Sequence, residues 1–315
     1  MKPTELSIFE RNFTRNMSAY RYYFAAFTAF FIWGFFGLAL KPLADYPSLD
    51  ILFYRIFFSV VIMGFLNLFF RRTILKENWV NFKLLPEKLM RKTIVLTITG
   101  AILLSLNWFV FIYVVNHISL KAASLAYMIC PILTTVFAFF ILKEKLSNWQ
   151  WIAVFISCIG CGLLSIDHLE DIFFSFIVAA TYALYLISQR NNNQIDKFLS
   201  LTIQLTITAI MILPFYPKYS GVVPDSALFY IYLLVIVLFF TITPLFLNLY
   251  ALKGINSSTV GIMMYINPII NFSIAVIVFN ESVTLLQMVS YFLIFVAVII
   301  FNEKLLFPKQ SNPFD

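Results

Sequence analysis

Charge is scarce in this chain of 315 residues, which has 15 Asp and Glu, 22 Lys and Arg, and 2 His. The carboxylates are expected in loops or at helix ends, and His117 and His168 fall between apolar runs. There is no Ser-His-Asp order, no HExxH and no glycine-rich phosphate loop. An enzyme needs such groups converging on a cavity, so catalysis is not expected. No carboxylate is expected deep in the membrane, where proton-coupled carriers often keep one. Were the chain a carrier, Glu144 or Glu281 could couple it, or it could be a uniporter or exchanger; a helix-end contact is the favoured reading of both residues. Cysteine is nearly absent: Cys130, Cys158 and Cys161 all lie in apolar runs. Cys158 and Cys161 form a C-x-x-C, but with no His nearby in sequence they read as small packing residues. No metal site and no cofactor is expected. The first 20 residues are polar and charged, which does not fit a signal peptide.

Apolar residues are what the chain has in excess. They make up 61% of it, with 37 Phe. A soluble protein of this size cannot hide so much apolar surface, so lipid is the expected solvent and the bilayer a partner. Backbone in lipid must satisfy its own hydrogen bonds, which leaves helices or a closed barrel. The apolar runs are continuous over about 20 residues and do not alternate, which selects helices. Ten runs are predicted: 22–40, 49–70, 94–115, 122–142, 149–166, 172–188, 198–216, 228–252, 257–279 and 285–301. Residues 1–21 read as a cytoplasmic arm and 302–315 as a cytoplasmic tail.

Lys and Arg set the orientation. With the N-terminus cytoplasmic, 18 basic residues face inward and three, Lys41, Lys121 and Lys218, face outward. Seven of the 18 are in the loop at 71–93. That asymmetry favours cytoplasmic termini at the inner membrane. The net charge of +7 is then a topology signal, and nucleic acid is not an expected partner.

The sequence also repeats itself. Tyr113, Ile129, Pro131, Glu144 and Gln150 correspond to Tyr250, Ile266, Pro268, Glu281 and Gln287 at a constant offset. Five helices per half is an odd number, so the halves, 22–166 and 172–301, must insert upside down relative to each other. The expected fold is an all-α integral membrane protein, with ten transmembrane helices as two five-helix inverted repeats. Inverted repeats are a recurring construction of secondary transporters, with the solute near the midplane. A membrane scaffold that transports nothing is the alternative.

Pro131 and Pro268 are predicted near the middle of their helices. Each removes a backbone donor and frees the carbonyl four residues earlier, at Tyr127 and Met264. Freed backbone at depth is tolerated where protein or a watery cavity meets it, so these helices are expected to wall a cavity. Asn107, Trp108, Tyr127, Thr243, Tyr265, Asn267 and Asn271 are the polar or amphipathic residues placed around it. Each alone also fits a helix–helix hydrogen bond. Arg55 is the one charge well inside a predicted span. It is a functional candidate by default, or a snorkelling side chain near the outer interface. The expected ligand is a small organic solute, and a homodimer is open.

Several stretches resemble a known family. They are IWGFFGLALK (Ile32 to Lys41), Arg55 with Ser59, LNW (Leu106 to Trp108), Val115-Asn116, ASLAYMICP (Ala123 to Pro131), Glu144 and Gln150. In the second half they are Tyr185, Thr243-Pro244-Leu245, Gly261, Tyr265-Ile266-Asn267-Pro268 and Glu281. In order and spacing these are similar to the rarD-type branch of the EamA drug/metabolite transporters. The resemblance implies two EamA-like repeats and efflux of a metabolite or drug-like solute. Tyr54 stands where that branch usually has His, and Phe58 where it has Trp.

Overall fold

The computed structural model describes residues 20–117, 120–165, 172–278 and 284–303, and these are helical with no strand among them. Among them, six helical stretches are long and apolar enough to cross a membrane: Ser48–Phe70, Glu87–Val114, Leu125–Leu142, Phe173–Asn191, Lys197–Tyr219 and Ala227–Ala251. Two shorter apolar helices cover Asn148–Leu164 and Leu285–Phe301. A chain so apolar, with its peptide groups paired inside helices, is a multi-pass membrane protein.

In chain order the helices are α1 (Tyr20–Gly34), α2 (Phe36–Leu40), α3 (Ser48–Phe65), α4 (Arg72–Lys83), α5 (Glu87–His117), α6 (Leu120–Leu142), α7 (Asn148–Ser165), α8 (Ile172–Asn191), α9 (Lys197–Ile212) and the short α10 (Tyr216–Tyr219). Then come α11 (Ala227–Val237), α12 (Thr243–Ala251), α13 (Ser257–Met263), α14 (Ile266–Ile277) and α15 (Leu285–Phe301).

Two predicted runs are not single helices. The run 22–40 bends by 43° between α1 and α2, just after Gly34, a poor helix former. The run 257–279 breaks at Met264–Tyr265, so Pro268 is not mid-helix. It is the third residue of α14, where a missing N–H has no intrahelical partner to lose. The Met264 carbonyl is not freed either, because it accepts the Asn267 N–H at 3.1 Å. Pro131 does sit inside a continuous helix, α6.

The chain divides into two compact units. The first holds residues up to Ile102 and Ser188–Asn256, and the second holds Leu103–Ile187 and the residues from Ser257. The division falls inside α5 and α8, so each unit takes helices from both halves of the sequence.

In the first unit, α3 packs on α9, and in the π turn that follows α3 Asn67 Nδ2 donates to Thr202 Oγ1 of α9 at 2.8 Å. Asp196 caps α9 by accepting the N–H groups of Phe198 and Leu199, and it also pairs with Arg71 at 2.9 Å. Burial pushes its carboxyl up, but Arg71 and the Leu199 N–H outweigh that and hold it below the usual carboxylate range. The span Ala227–Ala251 contains Pro244, which cannot donate to the carbonyl of Phe240. Two features answer this. The helix widens into a π turn over Leu238–Ile242, and the Trp33 indole N–H donates to the Phe240 carbonyl at 3.0 Å.

In the second unit, α7 and α15 pack along their lengths, with Gly160 set against Ser290 and Ile294. Helix α6 packs on α13 around Gly261. A methyl group there would meet Thr134 Cβ at 2.8 Å and the Pro131 carbonyl oxygen at 3.3 Å. Gly162 on α7 has nothing within 4 Å of the equivalent point. Gly261→Ala is therefore expected to lower stability by about 1–3 kcal/mol, the range for overpacking a tight contact. Gly162→Ala is expected to be neutral or to gain up to about 1 kcal/mol from helix propensity. Thermal unfolding of the two variants in detergent checks this, and equal melting temperatures would contradict it.

Candidate functional site

Of the ten expected site residues, Arg55 and Thr243 lie in the first unit and the other eight in the second. Arg55 is half-buried on α3. Its guanidinium carbon stands 5.7 Å from the centroid of the Phe36 ring, within cation–π range. Its backbone carbonyl accepts the Ser59 hydroxyl at 2.7 Å. Thr243 is engaged locally, its hydroxyl donating to the Leu238 carbonyl at 2.7 Å across the π turn.

In the second unit the break between α13 and α14 gathers four of the expected residues: Tyr265, Asn267, Pro268 and Asn271. Tyr265 is fully buried, and its hydroxyl lies 3.6 Å from the Cys161 sulfur. Asn271 Nδ2 donates to Asn267 Oδ1 at 2.7 Å. Asn267 is buried and Asn271 exposed, so this amide pair leads from the interior outward. Pro131 is buried on α6 against α13. Tyr127 is more exposed, with its ring 5.6 Å from that of Phe111. Trp108 is half-buried on α5.

Asn107 makes a helix–helix contact. Its amide donates to the Val178 carbonyl at 2.8 Å and to Thr181 Oγ1 at 3.2 Å, tying α5 to α8. Double-mutant cycles on such bonds in membranes give about 0.6 kcal/mol on average and at most about 1.7. Asn107→Leu should lower stability within that range. A larger loss in a detergent melt would assign Asn107 a further task.

The sequence reading missed a polar cluster in the first unit. Lys197, counted there as a loop cation, is 1% exposed. Its ammonium donates to the carbonyls of Gln189 and Asn192, at 2.8 Å each, at the C-terminal end of α8. Gln204 Nε2 donates to Gln189 Oε1 at 2.7 Å, and Asn192 Nδ2 to Thr97 Oγ1 at 3.0 Å. Gly100 lets the Gln189 amide approach the backbone of α5, since a methyl there would stand 2.2 Å from Nε2. Asn192 Oδ1 is buried with no partner among the described residues, an acceptor ready for a water or a solute N–H or O–H. The signal was Ser200, Gln204 and Thr208, a polar stripe at helical spacing in an apolar run. The cluster offers one lysine amine and neutral amide and hydroxyl groups. That chemistry suits binding polar solutes.

Glu144 also has a defined role. Its carboxylate accepts the N–H groups of Ser257 and Ser258 and the Ser258 hydroxyl at the start of α13. Its expected counterpart Glu281 lies outside the described residues, as does His168.

These apolar helices, with buried polar groups and a broken helix inside the second unit, are those of a multi-pass membrane protein, and comparison with known proteins makes it a transporter and gives the family. The EamA-like transporter family matches twice, at residues 20–166 and 170–302. The chain belongs to that family, in the rarD-type branch of the drug/metabolite transporters. It is 31% identical to the uncharacterized transporter YojE of Bacillus subtilis over 281 residues, 87% of this chain and 91% of that one. It is 28% identical to protein RarD of Escherichia coli over 308 residues, 91% of this chain and 95% of that one. A crystal structure with 14% identity superposes with a TM-score of 0.68, covering 88% of this chain and 94% of the other, a likeness of fold alone.

Proposed function

We propose that the chain is a ten-span secondary transporter of the plasma membrane that exports a small organic metabolite or drug-like solute by alternating access. In this reading 22–166 and 172–301 are inverted five-helix repeats, and both termini are cytoplasmic. The observation that carries it is the double family match, at 20–166 and again at 170–302. An odd number of spans in each repeat makes the second insert inverted, and inverted pairs give one site two routes of access. The discontinuity at Met264–Tyr265 supports a solute site in the second unit, because discontinuous helices supply the binding backbone in many such carriers. Comparing metabolites released by overexpressing and deletion strains tests the function. No solute that changes in opposite directions in the two strains would count against export.

The topology has its own test. Asn81 is exposed on α4 between two spans. A cysteine placed there in a cysteine-free background should resist an impermeant maleimide in intact cells and react after the cells are opened. Labelling from outside would reverse the orientation.

A further inference from the structure

The segment between the spans ending at Phe70 and starting at Glu87 reads in sequence as a basic loop. In the structure residues 72–83 form α4. At 100° per residue, Arg72, Lys76, Trp79 and Lys83 fall within one narrow stripe. All four are exposed, Trp79 by 61%, and Lys83 Nζ stands 4.7 Å from the Trp79 ring centroid. A different face, with Ile74, Asn78 and Phe82, is half-buried.

The helix is held in one register. Asn78 Oδ1 accepts the Asp196 N–H at 2.8 Å, and Asp196 is in turn paired with Arg71 next to the start of α4. The stripe is left uncovered by the helices of its own unit. Three like charges spaced along one face repel one another. Glu77, the one acidic residue of the helix, lies well round from them. A partner with several negative charges and an apolar layer beside them would answer both the cations and the indole. An exposed indole flanked by cations whose stems can snorkel matches a headgroup boundary.

We propose that the Arg72–Lys76–Trp79–Lys83 stripe of α4 is a binding site for anionic phospholipid, with the cations on headgroup phosphates and Trp79 at the acyl boundary. The site lies in the leaflet next to the ends of α3 and α5, and it does not depend on what the protein transports. Each basic residue near an anionic surface contributes about 1 kcal/mol, or roughly a fivefold preference.

The full chain is reconstituted in vesicles of equal parts phosphatidylglycerol and phosphatidylcholine. Only one of the two lipids carries acyl-chain bromines in each preparation, so the composition never changes. The Trp79 signal is the difference from Trp79→Phe, since four other tryptophans remain. Brominated phosphatidylglycerol should quench Trp79 several-fold more than brominated phosphatidylcholine. The preference should vanish in Arg72→Gln/Lys76→Gln/Lys83→Gln, or at high salt with the wild type if that variant fails to insert. Equal quenching by both lipids would overturn the anionic site. Absence of Trp79 quenching would overturn lipid contact altogether and turn the stripe toward water or a protein partner.

Discussion

Glu144→Ala is expected to be among the most destabilising single substitutions in the chain. The carboxylate stands 2.8 Å from the Ser257 N–H, 3.1 Å from the Ser258 N–H and 2.6 Å from the Ser258 hydroxyl. These N–H groups are the first of α13, with no partner inside the helix, and the positive end of the helix dipole favours the anion. A hydrogen bond to a charged group contributes about 1.5–3 kcal/mol, and an alanine leaves all three donors to be resolvated at once. Glu144→Gln keeps one amide oxygen and loses the charge, so it should recover only part. Thermal unfolding in detergent should order the proteins as wild type, glutamine, alanine. An alanine variant that melts with the wild type would show that water serves the α13 terminus equally well.

How much of this was legible depended on which force decided each feature. The apolar runs announced membrane helices because lipid leaves the backbone few alternatives. The helix-end contact favoured for Glu144 is in the structure, since a lone carboxylate after an apolar run has few other uses. The break at Met264–Tyr265 was not legible. The run from Ser257 onward is mostly apolar and carries no charge, and Pro268 looked like a mid-helix residue. The actual break lies one turn earlier, where the Asn267 N–H turns back to the Met264 carbonyl. The tight packing of Gly261 against Thr134 needs two helices to be placed, and no local pattern records it.

Charge at the end of an apolar run misled in the other direction. Lys197 counted toward the positive-inside split, yet it is buried on α8 carbonyls. Hydropathy averages over a window and cannot say which way the first residue of a helix points. The spacing of Ser200, Gln204 and Thr208 did carry that information, as did Arg72, Lys76, Trp79 and Lys83 on α4. Periodicity in polar residues deserved the same reading as periodicity in apolar ones.

Arg55→Ala is expected to reduce transport by on the order of tenfold to a hundredfold, the scale of losing one hydrogen bond to a charged group. Arg55 is the eighth residue of the span that starts at Ser48, so it lies roughly 10 Å along it at 1.5 Å per residue. A cation there is costly, and the face of Phe36 offsets part of that cost. A solute carboxylate or phosphate would offset more, because the planar guanidinium can grip it with two parallel bonds. If solute passes Arg55 in the first unit, it would be anionic or zwitterionic, an amino acid for example, in preference to a purely cationic drug. Lysine keeps the charge but loses the planar fork, so Arg55→Lys should retain an intermediate rate, with insertion unchanged in both variants. A snorkelling arginine gives a different pattern, in which lysine substitutes almost fully and alanine is mild. Rates in proteoliposomes for the wild type and the two variants, with a solute identified by the strain comparison, separate the two. Near-equal rates for wild type and Arg55→Ala would remove Arg55 from the solute path and leave it a boundary residue held against Phe36.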